Sequence, residues 1–174
     1  GVTDIDNNFY PTTITDSMEW MAKNLMTTKL NDGTSILEVK DSIAWGNLST
    51  PASCWLLNDE TRYKTKYGAL YNVYAVETEM LCPVGWRVPT VNEWSELIDY
   101  LGGESVAVSK LKDKDNLSVA WDGNNEVGFT ALASGMRTPL GIYNGGVINE
   151  ARSSGYWTSS DGTGLNDKWT VSLG

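Results

Sequence analysis

The stretch from residue 81 to residue 103, LCPVGWRVPTVNEWSELIDYLGG, limits the fold of this chain more than any other. Its first half contains two prolines, which cannot lie inside a helix because proline lacks an N–H and clashes with the preceding turn. Thr90 and Glu93 then have the spacing of a capping box, which marks the start of a helix. The apolar residues that follow recur with a helical period and are Val91, Trp94, Leu97, Ile98 and Leu101. Because two glycines end the stretch, we predict a helix over about residues 90–101, with Glu93 also pairing with Arg87.

The rest of the chain predicts short elements around this helix. We predict a second short helix over about residues 105–112 and an opening hairpin within residues 2–15. Further strands are predicted at Ser35–Val39, Gly128–Ala133, Tyr156–Ser160 and Lys168–Leu173, and Tyr67–Val76 is predicted to be a strand or a buried extended run. Residues 40–66 have poor periodicity and predict a loop, apart from one helical turn at residues 42–45. Short strands scattered around one or two helices favour an α+β fold, and a length of 174 residues fits one domain, residues 1–174.

The charge balance argues against two classes of partner. The chain has 22 acidic and 13 basic residues, which gives a net charge of −9. This charge disfavours nucleic acid, whose phosphates are bound by Lys and Arg, and it disfavours an anionic membrane surface. The sequence has no apolar run of the roughly 20 residues needed to cross a bilayer, so we predict no membrane insertion. An export signal or a lipid anchor upstream of Gly1 is left open.

The chain contains no histidine. Ser-His-Asp and Cys-His catalytic sites and His-ligated zinc sites are therefore excluded. Two acidic clusters have the spacing of calcium ligands, and they are Asp4, Asp6 and Asn8, and Asp122, Asn124 and Glu126. We interpret both clusters as turns, since the first lacks the glycine and the terminal glutamate of an EF-hand loop. We predict no metal and no cofactor.

Several spaced motifs resemble those of one known family. Residues 82–97 read C-P-x-G-W-x-V-P-T-x-x-E-W-x-x-L, residues 20–25 read W-M-A-K-N-L, and residues 67–72 read Y-G-A-L-Y-N. Three later motifs follow in the family's order, at Gly128–Leu132, Gly135–Arg137 and Tyr156–Ser160. Together they are similar to the Fibrobacter succinogenes major paralogous domain, whose members include secreted and surface proteins, many from Bacteroidetes. The resemblance implies a secreted or outer cell-surface protein, with a lipoprotein anchor as one arrangement.

A second resemblance concerns the fold. Residues 87–94, R-x-P-T-x-x-E-W, are similar to a segment of formylglycine-generating enzymes, which have a C-type-lectin-like fold. The resemblance implies an α+β, loop-rich C-type-lectin-like domain with a small antiparallel sheet. In an exported protein of this kind, we expect Cys54 and Cys82 to form a disulfide. A reactive thiol is the alternative, although no histidine is present to activate it.

The aromatic content directs the search for a site. The chain has eight Trp and eight Tyr, residues that combine a flat apolar face with a polar edge, but only two Phe. We predict that a glycan binds on the late loops through Arg137, Tyr143, Asn144, Trp157, Asp161, Asn166, Asp167 and Trp169. The alternative is that Trp157 and Trp169 pack against the helix through Trp94. The tryptophans predicted to lie in the core are Trp86, Trp94 and Trp121.

Three classes of function are compatible with these features. We favour a non-catalytic module that recognises glycan without calcium, since the chain has no E-P-N or Q-P-D triplet. A protein-binding module, an adhesin or a structural surface protein is the alternative, and its mark is an exposed apolar patch. An enzyme is the least favoured class. A glycosidase needs two facing carboxylates, and nothing singles out a pair among the 22 acids.

Overall fold

The structure, a computed structural model, describes residues 1–114, 121, 123–145, 153–163 and 168–173. Within these residues it is a mixed α+β fold. Its helices are α1 (Ser42–Gly46), α2 (Glu60–Tyr67), α3 (Val73–Glu77), α4 (Val91–Tyr100) and α5 (Glu104–Leu111). Its strands are β1 (Val2–Thr3), β2 (Phe9–Tyr10), β3 (Thr12–Thr15), β4 (Met18–Met21), β5 (Leu37–Glu38), β6 (Ala52–Trp55), β7 (Ala69–Tyr71), β8 (Met136–Arg137), β9 (Tyr143–Asn144), β10 (Ser154–Asp161) and β11 (Lys168–Leu173).

The strands form several small sheets rather than the one small sheet that was predicted. Four antiparallel pairs, β1–β2, β3–β4, β8–β9 and β10–β11, stand beside a three-stranded sheet ordered β5-β6-β7. In that sheet β5 is parallel to β6 and β7 is antiparallel to it. The opening hairpin and the two last strands are confirmed. The fold therefore depends on side-chain packing and loop contacts more than on continuous strand ladders.

Helix α4 confirms the central prediction. Thr90 is its N-cap, and a capping box joins the Thr90 hydroxyl and the Glu93 carboxylate to each other's backbone N–H groups. The Arg87 guanidinium donates to both oxygens of Glu93, as predicted. Trp94 and Leu97 are buried on the inner face of the helix. The second predicted helix is confirmed as α5.

Two clusters of buried side chains lie on opposite faces of β10. The larger cluster surrounds α4 and contains Trp20, Trp94, Leu97, Leu101, Ala107, Leu111, Trp121, Phe129, Ala131, Ala133 and Leu173. The other contains Leu30, Ile36, Tyr71, Ala75, Val76 and Leu81. Tyr156 packs on the first cluster and Trp157 on the second, because successive strand residues point to opposite faces.

The region predicted to be a loop, residues 40–66, contains a strand and a helix. Strand β6 was missed because all four of its residues are buried, so its sequence ASCW does not alternate between apolar and polar. Helix α2 was missed because its buried residues are only Tyr63 and Tyr67, on an otherwise polar helix. Asp59 caps α2 by accepting a hydrogen bond from the Arg62 N–H. The predicted helical turn after Lys40 is confirmed as α1.

Two predicted strands were wrong in whole or in part. Of Tyr67–Val76, only β7 is a strand, because Asn72 caps α3 and turns the chain into a helix. Residues 128–133 alternate in polarity but are not a strand beyond one bridge between Ala131 and Lys112. Gly128 and Thr130 both have a positive φ there, at 69° and 61°, which interrupts an extended chain.

The first acidic cluster is a hydrogen-bonded turn, as interpreted. Asp4 Oδ1 accepts from the N–H groups of Asp6 and Asn8, each at 2.9 Å. The Asp6 carboxylate accepts from the Thr28 N–H and pairs with the Lys29 ammonium. Burial alone would raise the pKa of Asp6, but these partners lower it to about 2. Asp122, in the second cluster, lies outside the described residues.

The disulfide predicted between Cys54 and Cys82 is not formed, and both thiols are free and buried. The reason is their placement. Cys54 lies in β6 and packs among Val39, Trp45 and Ala52, whereas Cys82 follows Leu81 and borders a cleft. Burial raises the pKa of Cys54 and raises the pKa of Cys82 to about 11, which keeps both thiols protonated at neutral pH.

We expect Glu93→Gln to lower the free energy of unfolding by about 1 kcal/mol at pH 7, because glutamine keeps the capping geometry but loses the ion pair with the exposed Arg87. The Arg87 guanidinium is the main cause that lowers the pKa of Glu93 to about 2 from an ordinary value of 4.5. The contribution is therefore complete above pH 4.5 and lost as pH falls towards 2. Urea unfolding of both proteins at several pH values measures it. A difference that stayed constant down to pH 2 would contradict this account.

We expect Gly68→Ala to destabilise the domain by on the order of 2 kcal/mol. Gly68 follows α2 with φ of 70°, and a Cβ there would lie 2.6 Å from the Leu25 carbonyl oxygen. Gly85→Ala is the matched control, since Gly85 also has a positive φ, 84°, but has open space around its Cα. Thermal unfolding compares the two variants. Equal losses would show that conformation alone, and not the close approach to Leu25, sets the cost.

Candidate functional site

A cleft of about 420 Å³ opens between the N-terminal half of the domain and α4. Its walls come from β4 and the loop after it, from α2 and β7, from the turn before α4, and from β10. Most of the segments that line it carry the motifs quoted above, including residues 20–25, 67–71, 85–89 and 156–157. Segments far apart in sequence therefore meet around one cavity. A volume in this range, about 300–1,000 Å³, is typical of ligand sites.

The floor of the cleft is formed by packed aromatic rings. The Trp94 ring centroid lies 5.1 Å from that of Trp20, 5.7 Å from that of Phe129 and 5.5 Å from that of Tyr156. Trp94 is 2% exposed and Trp20 is 8% exposed. The Nε1 atoms of both tryptophans are buried and have no hydrogen-bond partner among the described residues. The floor is thus apolar, and the indole N–H groups of both tryptophans are unused hydrogen-bond donors.

Trp86 forms part of the wall and is not a core residue, which corrects the prediction. The Trp86 N–H donates to the Pro83 carbonyl at 2.9 Å and closes a turn, in which Gly85 has the positive φ. This turn leaves the Trp86 ring partly exposed beside the cleft. The other two predicted core tryptophans, Trp94 and Trp121, are buried.

Trp157 lines the cleft from β10. Its Nε1 donates to the Tyr71 carbonyl at 2.9 Å, which fixes the ring in place. The ring is partly exposed and packs against the cluster that contains Tyr71 and Leu81. Trp157 therefore does not pack on α4 through Trp94, as the alternative had it, and Tyr156 occupies that position instead.

Charged and polar side chains stand around the mouth of the cleft. Arg87 and Glu93 form their ion pair on one side, and Asn24 donates from Nδ2 to the Tyr67 carbonyl at 2.9 Å on the other. Lys23 and Glu19 also line the cleft. Lys23 forms no ion pair or hydrogen bond with any other described residue. An aromatic interior with a few polar groups at its edge suits a small ligand that has both apolar and polar faces.

Arg137 and Tyr143 lie away from the cleft and hold the β8–β9 hairpin in place. Arg137 donates from Nε, Nη1 and Nη2 to the carbonyls of Gly141, Val39 and Lys40, at 3.1, 2.6 and 2.8 Å. The Tyr143 hydroxyl is 3.0 Å from the Trp55 carbonyl and 2.7 Å from Asn58 Oδ1. The Arg137 guanidinium also stacks 4.4 Å above the Trp45 ring. With these contacts made, little of either polar group is left for a ligand.

The remaining predicted residues lie on two further elements. Asn144 is exposed on β9, opposite Met136 of β8. Asp161 pairs with Lys168 across the β10–β11 ribbon, and Trp169 is 51% exposed on β11. Asn166 and Asp167 lie outside the described residues. Of the predicted residues that the structure describes, Arg137 and Tyr143 lie together and Trp157 alone lines the cleft.

Sequence reasoning did not propose most of the cleft residues, among them Lys23, Trp20 and Trp86. A usable signal was present, since each belongs to a motif and the motifs are separated by long stretches of ordinary sequence. Among the described residues, no group of three or more cysteines and acids is placed to hold a metal ion. The described helices include none with the length and apolar character needed to span a membrane.

Comparison with known proteins assigns the chain to a family. Neither a curated protein nor a solved structure matches it. The model of the Fibrobacter succinogenes major domain matches residues 15–173, almost the whole chain. The chain belongs to the Fibrobacter succinogenes major domain family.

Proposed function

We propose that this domain is a non-catalytic binding module of a secreted or outer cell-surface protein, and that it holds a saccharide in the cleft between Trp86 and Trp157. One observation carries the proposal. Two partly exposed indole rings line a cleft of about 420 Å³ that has an aromatic floor and a polar mouth. The surface location rests on the family resemblance alone, because the free cysteines remove the disulfide as a support for export.

The chemistry of a sugar ring matches these surfaces. One face of a pyranose presents C–H groups that stack on an indole, and its edge presents hydroxyls that need hydrogen-bond partners. Trp86 and Trp157 offer the indole faces, whereas Lys23 and Arg87 offer donors at the mouth. An aliphatic ligand would leave these polar groups unpaired, and a wholly polar ligand would gain nothing from the rings.

The walls are held in position before a ligand arrives. Trp157 is fixed by its hydrogen bond to the Tyr71 carbonyl, and Arg87 is fixed by its two hydrogen bonds to the Glu93 carboxylate. Asn24 ties the opposite wall to the end of α2 through the Tyr67 carbonyl. Such preorganisation lowers the ordering cost of binding, which favours affinity without any covalent step.

The acids of the cleft support binding rather than hydrolysis. Among its described lining residues, the carboxylates are Glu19 and Glu93. The Arg87 guanidinium lowers the pKa of Glu93 to about 2, so this group stays ionised and cannot donate a proton to a leaving group at neutral pH. A glycosidase needs a carboxylic acid that stays protonated near its working pH, in addition to a second carboxylate.

We also propose that the fold is C-type-lectin-like. The support is the R-x-P-T-x-x-E-W segment at residues 87–94 and its place in the fold, where a loop enters α4 beside an antiparallel ribbon. An experimental structure compared with lectin-like domains tests this proposal. The proposal would be contradicted if α4 and the strands of the antiparallel ribbon followed one another along the chain in a different order from that of lectin-like domains.

A protein-binding role is the second candidate, and an apolar patch favours it. Ile43, Leu140 and Ile142 are exposed, at 75%, 74% and 59%. They come from α1 and from the β8–β9 turn, which approach so closely that a Cβ at Gly141 would lie 2.5 Å from the Ser42 carbonyl oxygen. Exposed apolar side chains in one region are typical of a docking surface.

We expect the purified domain to bind selected saccharides on a glycan array, and Trp86→Ala to abolish those signals because it removes one stacking face. Trp157→Phe keeps a ring but loses the Tyr71 hydrogen bond, and we expect it to weaken binding by about tenfold. The array is run with calcium and again with chelator, and the signals are expected to be equal because no metal is proposed.

Trp169→Ala is the matched control, since it removes an exposed tryptophan that does not line the cleft. Near-ultraviolet circular dichroism confirms that each variant is folded. Binding lost in Trp169→Ala and kept in Trp86→Ala would place the site on the β10–β11 ribbon. A blank array under both conditions would reject the saccharide proposal and favour the protein-binding candidate.

A further inference from the structure

Three residues that line the cleft, Trp20, Trp94 and Lys23, have unused hydrogen-bond donors. Among the residues that the structure describes, the buried indole N–H groups of Trp20 and Trp94 have no acceptor, and the Lys23 ammonium has no partner. By contrast, both carboxylate oxygens of Glu93 are occupied by Arg87. The hydroxyls of Ser134 and Ser154 are hydrogen-bonded to each other. A buried donor without an acceptor costs free energy, so the cleft suits a ligand that brings acceptors.

The charges at the mouth lead to the same conclusion. Arg87 and Glu93 neutralise each other, which leaves Lys23 and Glu19. Glu19 precedes Trp20 on β4, and successive strand residues point to opposite faces. Because Trp20 belongs to the floor, the Glu19 carboxylate is directed away from it, and 47% of the Glu19 side chain is exposed to solvent. Among the described residues of the cleft, Lys23 is then the basic side chain that has no acidic partner, on a protein whose net charge is −9.

We infer that the cleft selects a saccharide that carries a carboxylate, with Lys23 as its counter-ion and the indole N–H groups of Trp20 and Trp94 as donors to its oxygens. This inference rests on the proposed saccharide function and names the class of sugar, an acidic one. Both indole nitrogens are closed off from solvent in the free domain, so the acceptor reaches them by parting the rings of the floor. Each N–H then gains the hydrogen bond that it lacks.

The test compares acidic saccharides with neutral partners of the same shape. The probes are a galacturonic acid trisaccharide with its fully methyl-esterified form, and sialyllactose with lactose, titrated by calorimetry. At least one acid is expected to bind about tenfold more tightly than its neutral partner, and the preference is expected to shrink with added salt. Lys23→Met is expected to remove the preference. Lys40→Met is the control, since it also removes one positive charge, but from an exposed side chain that does not line the cleft, and it is expected to leave affinity within about twofold.

The chemical shifts of the indole N–H protons test whether Trp20 and Trp94 donate hydrogen bonds to the ligand. In ¹⁵N-edited spectra, the Trp20 and Trp94 indole protons are expected to move downfield on binding, as they gain an acceptor. Two tryptophans serve as references and are expected not to move. The Trp121 indole N–H already donates to the Ala131 carbonyl at 2.8 Å. The Trp55 indole N–H has no acceptor among the described residues, like those of the floor, but Trp55 does not line the cleft.

The outcomes separate this inference from the function it rests on. Neutral saccharides that bind as tightly as acidic ones would overturn the inference and leave the saccharide function standing. The same holds if Lys23→Met and Lys40→Met change affinity equally. If no probe and no array glycan binds, the saccharide function itself fails. Acid preference without any shift of the Trp20 and Trp94 protons would overturn their role as donors and retain that of Lys23.

Discussion

The packing of Trp94 against three other aromatic rings is the contact on which the rest of the structure depends. It joins α4 to β4 through Trp20, to β10 through Tyr156, and to the segment after residue 127 through Phe129. Aromatic pairs of this geometry contribute roughly 0.5–1.5 kcal/mol each beyond the area they bury. The sheets are too small to connect these elements by themselves. The same rings close the core on one side and form the floor of the cleft on the other.

Hydrogen bonds between side chains and the backbone connect distant segments of this fold, as longer strands do in other folds. Asn72 Oδ1 accepts from the N–H groups of Ala52 and Ala75, and its Nδ2 donates to the Thr50 carbonyl. Arg137 reaches the carbonyls of residues 39 and 40 in the same way, almost 100 positions earlier in the chain. Each contact satisfies buried or partly buried backbone groups that a larger sheet would pair. The loops are thereby fixed well enough to form the walls of a site.

The parts of the fold that sequence predicts are those whose signals are local. Helix α4 has its cap, its apolar period and its stop within one stretch, so it was predicted to within a residue or two. Strand β6 is buried on both faces and shows no alternation, and α2 presents only two tyrosines to the core. Arg137 has the sequence features of a ligand-binding residue, but its carbonyl partners are distant in sequence and become visible only in the fold. The cleft also forms between residues that are distant in sequence, so its position could not be predicted. For this reason Trp86, which lines the cleft, was predicted to lie in the core.

Trp20 and Trp94 lower the stability of the free domain, because their indole N–H groups are buried without an acceptor among the described residues. An unpaired buried N–H destabilises a protein by about 1–3 kcal/mol, and phenylalanine at residue 20 or 94 would keep a ring without this penalty. A third tryptophan of the same cluster does have a partner, since the Trp121 indole N–H donates to the Ala131 carbonyl. Trp20 and Trp94 instead lie where the cluster meets the cleft. On the proposed function, a ligand that supplied the acceptors would recover this cost on binding, and the stability that the free domain lacks would become part of the affinity.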